Sequence, residues 1–277
     1  MKKYQKQYEA SSKNDPVRLS PLSIHAQPDT ENDQIIVFVH GLNGERYKTW
    51  GALPGNMFQS FPHADFGFYG YNNGFRRWNF FKSISLEEEA QVLVDTLRDS
   101  PYQTIALMGH SLGGVLIRIA IAKMIEMKNE DLLSRIRVVF FFAVPQQGAH
   151  SLPRIFGYFN SDAAALARNS SLLKRTTRVF LDHFNTDEID SKGSGSWLPI
   201  YCIQAAEDFW VEELSSTLNI RTHMRKVVRA THTSVVKGLT GDVGNWVDSK
   251  LKLFLRPPLK HEPTPAKMIR HGPKTIR

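Results

Sequence analysis

The amino-acid sequence predicts an α/β protein in which helices flank a mostly parallel central sheet. Short runs of β-branched and aromatic residues alternate with longer amphipathic stretches, the pattern that parallel strands and their covering helices produce. One strand-to-helix junction, at residues 109–113, carries a serine between two glycines. The chain has 277 residues, of which 42% are apolar, so it can bury one large core, and we expect a single domain.

The predicted strands are short apolar runs that end at turn or loop residues. The run at 137–144 is continuously apolar after Arg137, which is typical of a central strand covered on both faces. The full set of predicted strands comprises residues 35–39, 65–71, 104–108, 137–144, 198–204 and 225–230.

Two helices are predicted from apolar stripes at helical spacing, in addition to the helical stretch described below. Ser85 and Glu88 form a capping-box pattern that starts the first of them. Its predicted core face is Leu86, Ala90, Leu93, Val94 and Leu97. A closing helix is predicted from the stripe of Val243, Trp246, Val247, Leu251 and Phe254.

Ser111 is the candidate nucleophile. It is the serine of a G-x-S-x-G pentapeptide, with the predicted strand 104–108 before it and an Ala-rich helical stretch, residues 115–123, after it. The pentapeptide alone is common by chance, and its simplest interpretation is a turn before a helix. Between a strand and a helix, however, the glycines allow a turn sharp enough to expose the serine. The helix N-terminus then directs its free N–H groups at the serine oxygen.

The loop after the predicted strand 35–39 is the candidate for part of an oxyanion-binding site. This strand ends abruptly in His40-Gly41. An acyl-transfer enzyme needs two backbone N–H donors for its oxyanion, one from the residue after the nucleophile and one from a loop of this kind. Leu112 and Leu42 are the residues that would supply them.

These motifs resemble those of the α/β-hydrolase superfamily, in particular its lipase- and esterase-like branch. The resemblance lies in residues 39–42, 109–114 and 143–148, and extends over roughly residues 35–254. Lys48-Thr49-Trp50 is similar to the corresponding stretch of lipase-like and inositol-deacylase-like serine esterase domains. Gln146 departs from the pattern, because related sequences often have histidine there. The resemblance implies an α/β-hydrolase fold and a catalytic triad in the order serine, acid, histidine.

His232 is the candidate base of that triad. A triad histidine must follow the last strand, so that it hangs over the nucleophile turn. His232 follows the predicted last strand, 225–230, whereas His223 precedes it. His261 and His271 lie in a Pro- and Lys/Arg-rich stretch and are expected to be solvated. His183 lies in an amphipathic stretch between predicted strands, and His150 lies at the start of a loop.

Asp208 is the preferred candidate for the acid. The strand 198–204 leads into the adjacent carboxylates Glu207 and Asp208. In the superfamily pattern the acid lies a few residues past the strand and before an apolar pair, which favours Asp208, followed by Phe209-Trp210. Glu207 is the alternative. The acid would fix the imidazole tautomer and stabilise the imidazolium.

The stretch at about 149–197 is too long for a plain connection and is interpreted as a helical cap or lid over the site. It contains amphipathic residues 151–159 and 171–184 and a Gly/Ser-rich run at 191–196. Its apolar and aromatic residues suggest an acyl or otherwise hydrophobic substrate. The alternative is a structural insertion without a gating role.

The net charge of +8 is concentrated at the two ends of the chain. Residues 1–20 carry five Lys/Arg and two acidic residues, and residues 256–277 carry six and one, which leaves 24 of each between them. We therefore divide the chain into a polar basic segment (1–33), an α/β-hydrolase domain (34–255) and a basic Pro-rich tail (256–277). The basic ends are expected to be solvated, or to make weak contact with an anionic membrane. No nucleic-acid-binding pattern is present.

The sequence predicts neither a metal nor an organic cofactor, since no cluster of Cys and His residues has ligand spacing. Cys202 is the only cysteine, which excludes an intramolecular disulfide. No run approaches the ~18–20 apolar residues that span a bilayer, and no secretory signal is recognised, so we expect a cytoplasmic protein.

The expected function is hydrolysis of a small-molecule or lipid carboxylic ester by Ser111, Asp208 and His232 through an acyl-enzyme. An acyltransferase or a thioesterase would use the same residues. A non-catalytic binding or scaffold protein with this fold is the alternative of a different class.

Overall fold

The computed structural model describes residues 21–28, 31–42, 44–71, 85–145, 171–184, 198–208, 224–237 and 242–255. The strands of this part of the chain are β1 (Leu22–His25), β2 (Gln34–Val39), β3 (Asp65–Tyr69), β4 (Thr104–His110), β5 (Ile136–Phe142), β6 (Ile200–Ala205) and β7 (Arg225–Val228). Its α-helices are α1 (Leu53–Ser60), α2 (Leu86–Arg98), α3 (Leu112–Glu126), α4 (Glu130–Arg135), α5 (Ser171–His183) and α6 (Asp242–Leu251), and residues Lys48–Trp50 form a 3-10 turn.

The seven strands form one sheet in the order β1-β3-β2-β4-β5-β6-β7. Every neighbouring pair is parallel except β1 and β3, which are antiparallel. Side chains on one face of the sheet pack with α2, α3 and α5, and those on the other face pack with α1 and α6. The predicted α/β class with a mostly parallel sheet is therefore confirmed, and the architecture is that of the α/β-hydrolase fold.

Strand β1 lies inside the segment that the sequence analysis set apart as residues 1–33. Leu22 and His25 are buried, and Leu22 pairs with Tyr69 at the edge of the sheet. A strand of only four residues, with Ile24 exposed to 45%, does not stand out from a polar sequence by its hydrophobicity. The sheet consequently begins earlier than the boundary placed at residue 34.

The two predicted helices form as expected, with small differences at their ends. In α2 the Ser85 hydroxyl accepts the Glu88 N–H at 3.2 Å, and the Glu88 carboxylate accepts the Ser85 N–H at 2.7 Å, which confirms the capping box. Its five predicted core residues are all buried. In α6 the stripe is buried at Val243, Val247 and Leu251, while Phe254 lies beyond the helix end.

Strand β5 ends at Phe142, two residues before the predicted end at Val144. Ala143 has a φ of 48°, a left-handed conformation that a strand cannot accommodate. The chain therefore turns away from the sheet at Ala143. Residues 146–150, which include Gln146, lie outside the described residues.

Helix α5 belongs to the segment 149–197 that was predicted to cover the site. Its Leu173 and Phe180 are buried in the core cluster of α2 and α3. Arg175 binds Glu126, at the last residue of α3, with an N–O distance of 2.6 Å. Because α3 has 15 residues, this contact lies about 20 Å from Ser111. Helix α5 is thus one of the helices that cover the sheet, and its apolar side chains pack into the core. The rest of the segment, residues 149–170 and 185–197, lies outside the described residues.

The topology brings the site residues to one edge of the sheet. Strands β2, β4, β6 and β7 are parallel, so the loops that follow them share the carboxyl edge. His40 and Gly41 follow β2, Ser111 follows β4, Asp208 follows β6, and His232 follows β7.

Candidate active site

Ser111 lies on a strained turn between β4 and α3. Its backbone has φ 52° and ψ −122°, a conformation that costs free energy in any residue with a Cβ atom. The Ser111 N–H donates to the Phe142 carbonyl at 3.0 Å, which ties the turn to the end of β5. This geometry lifts the Ser111 side chain out of the sheet and toward the loops at the carboxyl edge.

The glycines of the motif allow α3 to begin directly against β2. A Cβ atom on Gly113 would overlap the carbonyl oxygens of Val39 and His40. A Cβ atom on Gly41 would lie 2.8 Å from the Ser111 Cβ atom. The first turn of α3 and the loop after β2 can therefore approach Ser111 from two sides only because neither position carries a side chain.

The structure brings the three predicted triad residues together in one hydrogen-bonded chain. The distance from His232 Nε2 to the Ser111 hydroxyl is 2.8 Å, and that from His232 Nδ1 to Asp208 Oδ2 is also 2.8 Å. The Asp208 side chain is 2% exposed and that of His232 is 15% exposed. An ionised carboxylate can only accept, so Nδ1 of the neutral ring carries the proton and Nε2 accepts the Ser111 hydroxyl.

Glu207 points away from this chain. Its carboxylate accepts the Arg229 Nε–H at 3.0 Å on the surface, where the two side chains are 48% and 92% exposed. The Glu207 backbone N–H donates to the Ala230 carbonyl at 3.0 Å and so ties the loop after β6 to the loop after β7. Of the two adjacent carboxylates, the structure places Asp208 beside His232.

The loop after β2 is held by a network around His40. The Gly41 carbonyl accepts the His40 Nδ1–H at 2.9 Å and the Gly44 N–H at 3.0 Å. Burial lowers the pKa of His40 to about 4, so its ring is neutral and Nε2 can accept the Tyr71 N–H, at 3.5 Å. The Tyr71 hydroxyl donates to the His40 carbonyl at 2.8 Å.

These bonds orient the backbone N–H of Leu42, the candidate oxyanion donor of this loop. The carbonyl of Gly41 and the N–H of Leu42 belong to the same planar peptide group and point in opposite directions. Two donors on the Gly41 oxygen therefore also fix the direction of the Leu42 N–H. The Leu112 N–H lies in the first turn of α3, where the helix itself offers no acceptor.

The sequence analysis missed two residues that take part in this arrangement. The sequence pattern places Tyr71 only at the end of a predicted strand, although its hydroxyl holds the loop after β2. The motif treats His110 as a variable position of the pentapeptide, although its ring donates to the His232 carbonyl at 2.8 Å. A polar, hydrogen-bonding side chain directly before the nucleophile is the feature that could have drawn attention to His110.

No group of three or more His, Cys, Asp or Glu side chains within the described ranges is arranged to hold a metal ion.

A mostly parallel seven-stranded sheet, with a serine turn after β4, defines this chain as a protein of the α/β-hydrolase fold. More specifically, residues 29–150 match the family described as "Putative serine esterase (DUF676)". The matched stretch contains the loop after β2 and the Ser111 turn, and it ends before Asp208 and His232. The family match therefore supports a hydrolase of this fold.

Solved structures with a similar fold have low sequence identity. Lipase BlEst2 from Bacillus licheniformis, in its propeptide form, has a TM-score of 0.57 at 15% identity, covering 85% of this chain and 54% of that chain. The present chain thus spans about half the length of that protein. A hydrolase from Oleispira antarctica has a TM-score of 0.54 at 12% identity, covering 87% of this chain and 96% of that one.

The type II thioesterase BorB of the borrelidin biosynthetic cluster has a TM-score of 0.50 at 13% identity, covering 85% of this chain and 96% of the thioesterase. At these identities the likeness shows a shared fold and no more. No curated protein sequence matches the chain.

Proposed function

We propose that this protein is a serine hydrolase that cleaves carboxylic esters through an acyl-enzyme. The observation that carries the proposal is the continuous hydrogen-bond chain from Asp208 through His232 to Ser111, with 2.8 Å at each step. Its three members come from three separate strand ends, so the arrangement depends on the whole fold. Residues 29–150, which contain the nucleophile turn, match a serine esterase family, and this supports the same reaction class.

In the proposed first step, the Ser111 oxygen attacks the ester carbonyl while His232 Nε2 takes the hydroxyl proton. Asp208 keeps Nδ1 protonated and stabilises the imidazolium that forms, without taking the proton itself. The low exposure of the Asp208 carboxylate strengthens this interaction, since water screens it little. His232 then delivers the proton to the leaving alcohol, and the acyl group stays on Ser111.

The negative charge that develops on the carbonyl oxygen would be bound by the N–H groups of Leu42 and Leu112. Both donors are fixed before the substrate arrives, the first by the network around His40 and the second by the start of α3. Preorganised donors of this kind each contribute about 10²–10³-fold to the rate. In the second half of the cycle, His232 takes a proton from the water that attacks the acyl-enzyme, and returns it to the Ser111 oxygen as the carboxylic acid leaves.

Labelling with a fluorophosphonate probe tests the activated serine directly, because the probe phosphonylates only a serine with enhanced nucleophilicity. We expect one adduct per native chain, on the peptide that contains Ser111. Ser111→Ala should abolish the adduct and His232→Ala should strongly slow its formation. Ser134→Ala is the matched control and should label at the wild-type rate, because this exposed serine donates its hydroxyl to the Asp131 carbonyl within α4. A folded native chain that takes up no probe would contradict the proposal.

The bond that is cleaved is tested with chromogenic esters of increasing acyl length, together with a thioester of the same acyl group. The proposal expects turnover of the oxygen esters to free carboxylic acid. Rapid acylation followed by transfer to an added alcohol, without release of the acid, would instead indicate an acyltransferase. A strong preference for the thioester would contradict the proposed substrate class.

A further inference from the structure

We propose that His110 is a positioning residue whose side chain holds the backbone of His232 and so keeps the base in line with Ser111. This inference rests on the proposed function, and it concerns a residue for which the catalytic scheme above has no role. The His110 ring donates through Nε2–H to the His232 carbonyl oxygen at 2.8 Å. The two rings lie with their centroids 5.1 Å apart.

His110 occupies a place in the fold that suits this task. It is the last residue of β4, a central strand hydrogen-bonded to both β2 and β5, and it directly precedes Ser111. One rigid strand end therefore carries the nucleophile on its next residue and a contact to the backbone of the base. A link of this kind fixes the distance between the two groups that must exchange a proton.

The His232 loop needs such an anchor, because the strand before it is short and lies at the edge of the sheet. Strand β7 has four residues and ends at Val228. The neighbours of His232, Thr231 and Thr233, are exposed, and the chain returns to the core only at Val235. Between Val228 and Val235, the hydrogen bond from His110 links the backbone of His232 directly to a central strand of the sheet.

The chemistry of the His110 ring allows only one direction for this bond. A carbonyl oxygen can only accept, so Nε2 must carry the proton. Burial, with a smaller contribution from the nearby His232, lowers the pKa of His110 to about 3, so the ring is neutral with its lone pair on Nδ1. A neutral ring can remain beside His232 when that residue becomes an imidazolium, without repelling it.

The other side of the ring faces the loop after β2. A Cβ atom on Gly41 would lie 3.0 Å from His110 Nδ1, and within the described part of the chain this nitrogen has no hydrogen-bond partner. The ring is thus packed between the loop that carries Leu42 and the loop that carries His232. Because Nε2 is directed at a carbonyl rather than at Ser111, His110 acts through His232 and takes no proton from the substrate.

Three substitutions at His110 test the inference through turnover. His110→Gln keeps an N–H donor near the position of Nε2, whereas His110→Asn is polar but too short to reach, and His110→Leu fills the space without a donor. We expect kcat to fall by about 10- to 100-fold in the Asn and Leu variants, since a misplaced catalytic group costs a factor of this size. KM should stay within about twofold, and the Gln variant should recover most of kcat. If the Leu variant does not fold, the Gln and Asn pair carries the comparison.

His25→Leu is the matched control. His25 is a similarly buried histidine on β1, and its Nε2 lies 3.4 Å from the Tyr47 hydroxyl, far along the chain from the triad. We expect this variant to lose stability but to keep the wild-type kcat per folded molecule. A loss of kcat in His25→Leu equal to that in His110→Leu would mean that both effects report stability, and would overturn the inference.

Hydrogen exchange supplies a readout that does not depend on activity. The amides of the stretch 229–237 should exchange faster in His110→Asn and His110→Leu than in the wild type, and at the wild-type rate in His110→Gln. Faster exchange in a protein that neither hydrolyses esters nor takes up the fluorophosphonate would leave the link standing while the proposed function fails. An active protein in which the Asn and Leu variants keep both wild-type kcat and wild-type exchange would overturn the inference alone.

Discussion

At the residue scale, the neighbouring carboxylates Glu207 and Asp208 offer an internal comparison. Asp208 is buried against His232, while Glu207 forms an exposed ion pair with Arg229. Asp208→Asn should lower kcat by about 10³–10⁴-fold, because an amide can hold the imidazole in the wrong tautomer and cannot stabilise the imidazolium. Glu207→Gln should leave kcat within about twofold and change the free energy of unfolding by less than about 1 kcal/mol. Steady-state kinetics on one chromogenic ester measures both variants, and the reverse ranking would assign the acid to Glu207.

The sequence could predict these residues because their positions depend on chain order and strand ends. Ser111, Asp208 and His232 each follow an apolar run, and parallel strands place such positions at one edge. The sequence could not predict His110 or Tyr71, because their bonds go to backbone carbonyls whose positions depend on how the loops fold. It also left Asp208 and Glu207 in competition, since adjacent residues diverge only once the loop has a conformation.

At the scale of elements, the loop after β2 depends on its neighbour β3. The two strands are parallel and adjacent, so Tyr71, just past β3, reaches the His40 carbonyl just past β2. The hydroxyl bond helps to hold the loop whose Leu42 N–H would bind the oxyanion. Tyr71 and the loop after β2 are therefore far apart in the sequence but adjacent in the sheet.

Removal of that hydroxyl tests the proposed loop. Tyr71→Phe should lower kcat by roughly tenfold with little change in KM, because the Leu42 donor loses rigidity and acts mainly in the transition state. Tyr69→Phe is the matched control, since its hydroxyl bonds Glu89 on α2 at 2.7 Å instead. We expect the control to lose about 1–3 kcal/mol of stability while its turnover per folded molecule stays unchanged. Equal kcat in the two variants would argue against a catalytic role of this loop.

The elements also show what sequence periodicity leaves open. The sequence favours a lid over a structural insertion for residues 149–197, and the apolar face of α5 in that segment packs on α3. Amphipathicity indicates that one face is buried and does not indicate against which partner. Strand β1 is not predicted, because a strand of four residues at a sheet edge buries too few apolar residues to give a recognisable hydrophobic pattern.

At the scale of the whole molecule, charge separates the ends of the chain from its body. Residues 256–277 carry six Lys/Arg and one acidic residue, and the described fold reaches Leu255, which is buried. In the part of the chain that the structure describes, no helix has the length and apolar character needed to cross a bilayer. We propose that the basic ends give weak contact with an anionic membrane, at ~1 kcal/mol per charge near the surface.

A variant that lacks residues 256–277 tests this electrostatic contact. Its binding to vesicles that contain anionic lipid should fall sharply, while its turnover of a soluble short-chain ester stays unchanged. Binding of the full chain should weaken with added salt, because screening limits exposed charges to ~8 Å at physiological ionic strength. A variant with the six Lys/Arg of this stretch replaced by Gln controls for length. Equal vesicle binding by all three proteins would remove the membrane proposal.

The central claim is that Ser111 becomes the acyl carrier through its contact with His232, and the most direct measurement is kcat/KM of Ser111→Ala on a chromogenic short-chain ester. We expect a fall of about 10⁴-fold or more, because the oxyanion donors and substrate binding remain but the nucleophile is gone. The thermal midpoint should stay near that of the wild type, since alanine keeps the Cβ atom and the turn, and the variant loses only the hydroxyl bond to His232. Turnover by Ser111→Ala close to the wild-type value would contradict the account.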